Sequence, residues 1–284
     1  MEKKTYVILG VGGFVGERHL RAIRDTGGEL IASCDLSDSV GILDSYFPQS
    51  EFFTFESEFR AFCKDRKPNY TVICTPNYLH KSQAQYAMRC DSTVICEKPV
   101  ALNPLDLEDL IDVELATGQR VYTILQLRLN PVLQGLKCEF ETYPEYRRVQ
   151  IDYQTPRGLW YAKSWKGNPD KSGSLIFNIG IHLVDLMLWM FGSVEDIQLK
   201  TKTDREVSGE LFLKRAHITF NLSLGGVSSN RSMKIDGREI EFSQGFGDAH
   251  TRSYDMIGKG KGFGLVEALP SIILCDKIRK MSCG

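Results

Sequence analysis

The sequence reads Gly10-Val11-Gly12-Gly13-Phe14-Val15-Gly16 between a short apolar run, Tyr6 to Leu9, and a helical pattern, Glu17 to Arg24. Glycines between a strand and a helix let backbone N–H groups approach a pyrophosphate at the helix N-terminus. The strict G-x-G-x-x-G spacing fails because its third glycine would fall on Val15, and the glycines instead recur every third residue. The turn therefore predicts a dinucleotide site, with a plain structural loop as the alternative. The expected contacts are Gly10, Gly13, Phe14 and Val15.

An acidic residue favours the dinucleotide interpretation of this turn. Asp35 follows the second apolar run and lies nineteen positions after Gly16. At that place a carboxylate can accept both ribose hydroxyls of NAD, and it would repel the 2′-phosphate of NADP. No arginine directly follows Asp35 to receive such a phosphate. The sequence therefore predicts NAD as the cofactor.

Short apolar runs alternate with helical patterns through the first 124 residues. The predicted strands cover residues 6–9, 30–34, 70–74, 93–96 and 121–124, and the predicted helices cover about 17–24, 40–46, 80–89 and 105–117. Runs that are apolar on both faces are typical of a parallel sheet covered by helices. We therefore predict an α/β protein whose residues 1–124 form a Rossmann domain with a doubly wound parallel sheet.

Polar clusters follow two of these strands. The first is Thr75 to His80, after the strand 70–74, and the second is Glu97 to Pro99, after the strand 93–96. The carboxyl ends of strands in an open parallel sheet border the ligand crevice, so both clusters are expected beside the cofactor. Lys98 would lie near the nicotinamide, and Pro99 restricts it to extended conformations. A solvated lysine is the alternative from the sequence alone. The expected cofactor contacts are Pro76, Asn77 and His80 from the first cluster and Glu97 and Lys98 from the second.

The pattern changes after about residue 125, where apolar and polar residues alternate over 146–155 and much of 194–242. Such alternation predicts an open, mostly antiparallel sheet, so residues 125–284 are expected to form a second α/β domain. Its last helical pattern, about 251–278, can pack back on the first domain. Asn178 and His182 are four residues apart, which places them on one helix face. His182 is a candidate general base, and a buried histidine satisfied by Asp185 is the alternative.

Composition excludes several classes of function. The chain of 284 residues is 42% hydrophobic and carries a formal charge of −1. It therefore has no excess of positive charge that would attract nucleic acid or anionic lipid. It has no signal-peptide pattern and no run of 18 apolar residues, which predicts a cytoplasmic protein without a membrane span. No metal site is predicted. Eight scattered cysteines are expected to be reduced and mostly buried: Cys34, Cys63, Cys74, Cys90, Cys96, Cys138, Cys275 and Cys283.

Taken in order, these motifs resemble the Gfo/Idh/MocA family of oxidoreductases. The resemblance rests on the glycine-rich turn, the acidic strand end, T-P-N-x-x-H, E-K-P and the segment G-x-x-x-x-N-x-G-x-H-x-x-D, and it covers residues 5–192. It implies a Rossmann domain followed by an α/β domain whose open sheet mediates a homodimer or homotetramer. It also implies that Lys98 and His182 flank a sugar as catalytic residues, and that Gln126 contacts the cofactor.

Within the family, several stretches are similar to dehydrogenases that act on UDP-linked sugar acids in the synthesis of surface polysaccharides. The similarity includes Arg157-Gly158-Leu159-Trp160-Tyr161 and Ser164-Trp165-Lys166-Gly167-Asn168. It implies NAD-dependent oxidation of the 3′-hydroxyl of UDP-N-acetylglucosaminuronic acid, with Lys98 or His182 as the base. Fixed donors and positive charge suit a nucleotide-sugar anion. The implied substrate contacts are Arg157, Tyr161, Ser164, Lys166, Asn178 and His182.

Three departures and two alternatives accompany this resemblance. Asn178 stands where many relatives have aspartate, Asn130 stands where histidine is expected, and the region 200–232 is short for the subgroup. One alternative is another sugar or inositol dehydrogenase, or a ketoreductase that uses NADPH. The other is a non-catalytic regulator that binds NAD on the same fold.

Overall fold

The computed structural model describes residues 3–242 and 247–282 and divides the chain into two compact units. The first unit contains Met1–Ala101, Leu105–Ile124 and Gly247–Ala268, and the second contains Leu102–Pro104, Leu125–Phe246 and Leu269–Gly284. Within the described residues there are twelve strands and eleven α-helices.

The strands are β1 (Thr5–Leu9), β2 (Glu29–Cys34), β3 (Glu51–Phe53), β4 (Tyr70–Ile73), β5 (Thr93–Cys96), β6 (Val121–Thr123), β7 (Arg147–Gln154), β8 (Val194–Lys202), β9 (Glu206–Leu213), β10 (Ala216–Ser223), β11 (Asn230–Ile235) and β12 (Arg238–Glu239). The helices are α1 (Gly16–Asp25), α2 (Ile42–Tyr46), α3 (Glu56–Arg66), α4 (His80–Arg89), α5 (Pro104–Thr117), α6 (Pro131–Thr142), α7 (Trp160–Lys163), α8 (Pro169–Ser172), α9 (Ile181–Phe191), α10 (Ala249–Gly258) and α11 (Leu265–Lys280). Short 3₁₀ turns cover Asn77–Leu79, Gln126–Leu129 and Trp165–Gly167.

The first unit is built on a six-stranded parallel sheet in the order β3-β2-β1-β4-β5-β6. The order reverses between β1 and β4, and ligands of doubly wound sheets bind at such a switch point. Val7 and Ile8 in the central strand are fully buried, because helices cover both faces. Leu20 and Ile23 of α1 pack into the same core. The predicted Rossmann architecture is confirmed.

The sequence prediction missed one strand and one helix of this unit. The strand β3 and the helix α3 lie between residues 46 and 70, where no element was predicted. β3 pairs with only one neighbour and has only three residues, so it has no periodicity to detect. In α3, Phe59 and Cys63 are the only fully buried residues, so its apolar face is too narrow to stand out.

The second unit contains a six-stranded mixed sheet in the order β12-β11-β7-β10-β9-β8. β7 and β10 are parallel, and the other pairs are antiparallel. Along β9, buried and half-buried residues alternate, because one face of the strand meets the core and the other does not. The predicted open, mostly antiparallel sheet is confirmed.

One segment belongs to a different unit from the one that the sequence predicted. Residues 247–268 lie in the first unit, whereas the predicted boundary assigned 125–284 to the second domain and let its last helical pattern, about 251–278, pack back on the first. The physical reason is that α10 packs against α1. Tyr254 stacks on Tyr6 with ring centroids 5.8 Å apart, and the Thr123 N–H donates to the Phe263 carbonyl at 2.8 Å.

Two predictions from composition can be compared with the described residues. The helical stretch Pro169–Phe191 is long and apolar enough to cross a membrane, but 67% of its most apolar window is buried in the fold, as in core helices. The described cysteines are free thiols, and five of them are buried. Cys138 is exposed, and Cys283 lies outside the described residues.

Candidate active site

The glycine-rich turn uses its glycines at the spacing that the sequence indicates. The Gly13 N–H donates to the Gly10 carbonyl at 3.1 Å, and the Gly16 N–H donates to the Gly13 carbonyl at 3.0 Å. Gly10 has φ +81°, which favours glycine, and a Cβ on Gly16 would lie 2.0 Å from the Val11 carbonyl oxygen. A side chain at Gly16 would collide with the backbone, and the conformation of Gly10 favours glycine. Glycines at both positions therefore allow the tight turn from β1 into α1. The ring of Phe14 is 88% exposed at the tip.

Asp35 ties the end of β2 to this turn. Its Oδ2 accepts a hydrogen bond from the Gly12 N–H at 2.9 Å, and its Oδ1 accepts one from the Ser37 N–H at 3.0 Å. Each carboxylate oxygen has a further lone pair, so both can also accept a ribose hydroxyl. Gly12 was not among the predicted contacts. A Cβ there would lie 3.2 Å from Oδ2, so Gly12 lets the turn approach the carboxylate.

His80 links the two polar clusters at the ends of β4 and β5. Its Nδ1 lies 2.7 Å from the Pro99 carbonyl oxygen, and its Nε2 lies 2.7 Å from the Thr75 carbonyl oxygen. Burial lowers the pKa of His80 below its ordinary value, so the neutral ring has one N–H to donate. His80 is 1% exposed and Asn77 is 6% exposed. Because the neutral ring has a single N–H, only one of the two carbonyl oxygens accepts its hydrogen bond. The predicted cofactor contacts of His80, Asn77 and Pro76 stay predictions.

Glu97 belongs to a buried group that the sequence did not indicate. Its Oε1 lies 3.2 Å from His19 Nε2 and 3.0 Å from His250 Nε2. Burial acts to raise the pKa of Glu97, but hydrogen bonds from the two histidines hold it well below its ordinary value. The predicted direct cofactor contact of Glu97 stays a prediction, and the structure directs this carboxylate to His19 and His250. His250 is 153 positions away from Glu97, so no local pattern reveals the contact.

We predict that acid destabilises the chain through two buried histidines. Burial lowers the pKa of His19 and His80 below 6.5, so the unfolded chain binds more protons than the fold as the pH falls below that value. The free energy of unfolding should therefore decrease from about pH 7 to about pH 5. Urea denaturation at both pH values measures it. The variant His80→Gln, which cannot titrate, should show a weaker dependence, and an unchanged slope would contradict the assignment.

Lys98 is half-buried and precedes Pro99 through a cis peptide bond. It follows β5 at the carboxyl edge of the parallel sheet, where the sequence places it. Gln126 begins a 3₁₀ turn in the second unit and is also half-buried. Lys98 belongs to the first unit and His182 to the second, and their pairing stays a prediction.

A π-helical turn, Ile176–Gly180, leads into α9 and carries Asn178, while His182 lies in the first turn of α9. The amide nitrogen of Asn178 donates to the Tyr161 hydroxyl at 2.7 Å. His182 is half-buried, and nearby Asp185 is engaged by Arg128 through both carboxylate oxygens, at 2.6 and 2.9 Å. The general-base role of His182 stays a prediction, and so does the alternative of a buried histidine satisfied by Asp185.

Two arginines of the second unit lie near Tyr161, and a lysine lies near one of them. The side chains of Arg157 and Arg205 lie close enough to influence Tyr161, and Arg205 donates to the Arg157 carbonyl at 3.4 Å. Burial, together with the positive charge of Arg157, lowers the pKa of Lys166. Within residues 3–242 and 247–282, none of the three cations has a carboxylate oxygen within 4.0 Å. We call Arg157, Lys166 and Arg205 the cation group.

Aromatic rings surround one member of this group. The Lys166 ammonium lies 4.6 Å from the ring centroid of Trp165 and 5.6 Å from that of Trp160. Ser164 donates to the Tyr161 carbonyl at 2.8 Å, so its hydroxyl supports the local chain, and its substrate contact stays a prediction. Trp160, Trp165 and Arg205 were not among the predicted contacts. Arg205 lies in the turn between β8 and β9, far along the chain from Arg157 and Lys166, so local spacing cannot reveal that they are neighbours.

The turn, the carboxylate of Asp35 and the switch point of the sheet define an NAD-binding Rossmann protein. A family model described as an oxidoreductase family with an NAD-binding Rossmann fold matches residues 4–124. The model of that family's C-terminal domain matches residues 144–229. The chain belongs to the Gfo/Idh/MocA family, as the motifs predicted.

Solved structures and curated proteins give further similarities. The WlbA (WbpB) dehydrogenase from Thermus thermophilus, in complex with NAD and UDP-GlcNAcA, is 37% identical, with a TM-score of 0.95 over 99% of this chain and 96% of that one. The WlbA dehydrogenase from Bordetella pertussis, at 22% identity and a TM-score of 0.84 over 98% and 95%, shares the fold. Inositol 2-dehydrogenase of Salmonella paratyphi B is 26% identical over 52% of this chain and 50% of that protein. The chain thus spans about half the length of the curated relatives it matches.

Proposed function

We propose that the protein oxidises the 3′-hydroxyl of UDP-N-acetylglucosaminuronic acid with NAD. The observation that carries the proposal is the cation group, in which three positive side chains lie together without a carboxylate partner among the described residues. Such a group suits a diphosphate and a sugar carboxylate. The similarity to the Thermus WlbA dehydrogenase in complex with UDP-GlcNAcA supports the same ligand class.

The proposed reaction transfers a hydride and releases a proton. When bound, NAD⁺ would supply the acceptor for the hydride of C3, so the 3′-hydroxyl would become a ketone and NAD⁺ would become NADH. The hydroxyl proton goes to a base, and Lys98 and His182 are the two candidates. A base positioned on the hydroxyl contributes typically 10²- to 10⁴-fold to the rate. The protein's other proposed tasks are to hold the cofactor ribose through Asp35 and the anion through the cation group.

The direct test is to mix the purified protein with NAD and UDP-N-acetylglucosaminuronic acid and follow the absorbance of NADH. Single-turnover conditions are used because slow product release can hide the chemistry. Formation of NADH supports the proposal. If NAD binds but this substrate gives no NADH, the substrate assignment is wrong. Turnover of myo-inositol instead would favour the activity in the name of the Salmonella relative, and no turnover of any sugar would favour a regulator.

The role of the cation group is tested by Lys166→Met. Because a charge-assisted contact to an anion is worth about 1.5–3 kcal/mol, KM for the UDP-sugar should rise about 10- to 100-fold, with kcat changed little. Lys163→Met is the matched control, since Lys163 is exposed one helical turn earlier. An equal effect of both variants would contradict a specific role for the group.

A homodimer or homotetramer stays part of the proposal. The second unit's sheet has an uncovered polar face with a shallow depression lined by residues such as Asp152, Ser208, Asn221 and Lys234. An uncovered sheet face of this kind is the surface through which copies of the chain would associate. Nucleic-acid and membrane partners are not proposed, and a cytoplasmic location stays a prediction.

A further inference from the structure

Four buried side chains form a continuous hydrogen-bonded group in the first unit, and we call it the histidine–glutamate network. Its members are His19 of α1, Glu97 at the end of β5, and His250 and Tyr254 of α10. Besides the two contacts of Glu97 Oε1, His19 Nδ1 lies 2.8 Å from the Tyr254 hydroxyl. The His19 and His250 rings meet edge to face, with centroids 4.8 Å apart. All four are less than a tenth exposed.

The hydrogen bonds of the network have one consistent assignment. Burial holds the pKa of Tyr254 well above its ordinary value, so its hydroxyl keeps its proton and donates to His19 Nδ1. His19 then has its proton on Nε2 and donates to Glu97, which as an anion only accepts. His250 donates to the same oxygen through its own Nε2. Each of these contacts is thereby satisfied without a further ligand.

The network sits directly beside Lys98 in sequence and is linked to the glycine-rich turn. Glu97 is the residue before Lys98, and its backbone N–H donates to the Ile73 carbonyl at 3.0 Å. On the other side, His80 Nδ1 lies 2.7 Å from the Pro99 carbonyl oxygen. His19 lies three residues after Gly16, in the helix that begins at the turn. Buried histidines therefore contact both residues that flank Lys98, through the side chain of Glu97 and the carbonyl of Pro99. One of them, His19, belongs to the helix that follows the glycine-rich turn.

We propose that the histidine–glutamate network is a positioning device that sets Lys98 relative to the glycine-rich turn for hydride transfer. This inference rests on the proposed catalytic function of Lys98. Glu97, His19 and His250 touch neither the substrate nor the reacting atoms in this proposal; they act through the backbone of residues 97–99. A shift of 1 Å in a reacting group can lower a rate about 100-fold, so a small loss of anchoring has a measurable effect.

The test compares two substitutions at His250. The amide nitrogen of glutamine can occupy the place of His250 Nε2, so His250→Gln keeps the donor to Glu97, whereas His250→Leu removes it. We expect His250→Leu to lower kcat about 30- to 100-fold, with KM and NAD affinity changed less than about threefold, and His250→Gln to restore kcat to within about threefold. The isotope effect with substrate deuterated at C3 should increase in His250→Leu, because hydride transfer becomes slower.

Three outcomes would overturn the inference. If both variants lose kcat equally, and the loss equals the decrease in the fraction of folded protein, the network has a purely structural role. A loss of NAD affinity equal to the loss of kcat would place the effect at the cofactor. One equivalent of zinc in the purified protein would also contradict the hydrogen-bond assignment, because His19, Glu97 and His250 offer ligand atoms within 4.8 Å of one another.

A second readout does not require turnover, so it separates this inference from the proposed function. An amine-reactive reagent is added, and the rate at which it modifies Lys98 is measured by mass spectrometry of the peptide that contains Lys98. This rate should change in His250→Leu and return towards that of the wild type in His250→Gln, even if the sugar proves to be a different one. An identical rate in all three proteins would contradict the positioning role.

Discussion

Replacing Lys98 by alanine should lower the rate of NADH formation about 1,000-fold and leave NAD affinity within about threefold. The expected loss is large because Lys98 follows β5 at the carboxyl edge of the sheet, where the reacting atoms are expected. NAD affinity should persist because the turn and Asp35 hold the other end of the cofactor. Single-turnover kinetics measure the rate, and quenching of intrinsic fluorescence measures binding.

Lys67→Ala is the control for this prediction, since Lys67 is an exposed lysine paired with Asp91. It should leave both quantities unchanged. Comparison with His182→Asn then separates the two candidate bases, because kcat loses its pH dependence only in the variant that lacks the base. A Lys98→Ala protein with the kcat of the wild type would remove Lys98 from the mechanism.

Replacing Arg128 by methionine should destabilise the protein by about 3–5 kcal/mol. Arg128 and Asp185 form a bidentate pair whose side chains are 9% and 3% exposed. The variant leaves the Asp185 carboxylate buried without its cation. Because burial already raises the pKa of Asp185, the carboxylate will take up a proton more readily in the variant, and the loss should be smaller at about pH 5 than at about pH 8.

The matched control is the double variant Arg128→Met with Asp185→Leu. Two apolar side chains of similar volume leave no buried charge, so this protein should recover most of the stability. Urea denaturation of the wild type, both single variants and the double variant gives the coupling between the two sites. If the double variant is as unstable as Arg128→Met, the loss of stability comes from packing and not from the unpaired Asp185 carboxylate.

Local patterns predicted the parts of the fold that depend on neighbours in sequence. The glycine turn and Asp35 were predicted because an apolar run, a turn and a helical pattern occur in order within about 30 residues. The strands of the second unit were predicted by their alternation, but the parallel pairing of β7 with β10 was not. That pairing joins Arg147 to Ala216, and the register between distant strands leaves no periodic signal.

Long-range side-chain contacts account for most of what the sequence left out. His250 reaches Glu97 across 153 positions, and Arg205 joins the cation group from the turn between β8 and β9. Histidines and arginines are common on surfaces, so neither residue is distinctive until the fold brings its partner close. Lys98 and His182 were singled out by their positions, but their pairing and the substrate residues came from the resemblance to a family, because known relatives contain information on distant contacts that spacing does not.

The bond between Asp35 and the Gly12 N–H limits how cofactor preference can change. Exchanging the acidic residue for a neutral or basic one is the obvious route to an enzyme that accepts NADP. Here an exchange for a basic residue also removes the acceptor of a hydrogen bond that shapes the glycine-rich turn, whereas asparagine or serine keeps an oxygen acceptor. A basic residue at position 35 therefore needs a second substitution that supplies an acceptor for the Gly12 N–H, because lysine and arginine have none.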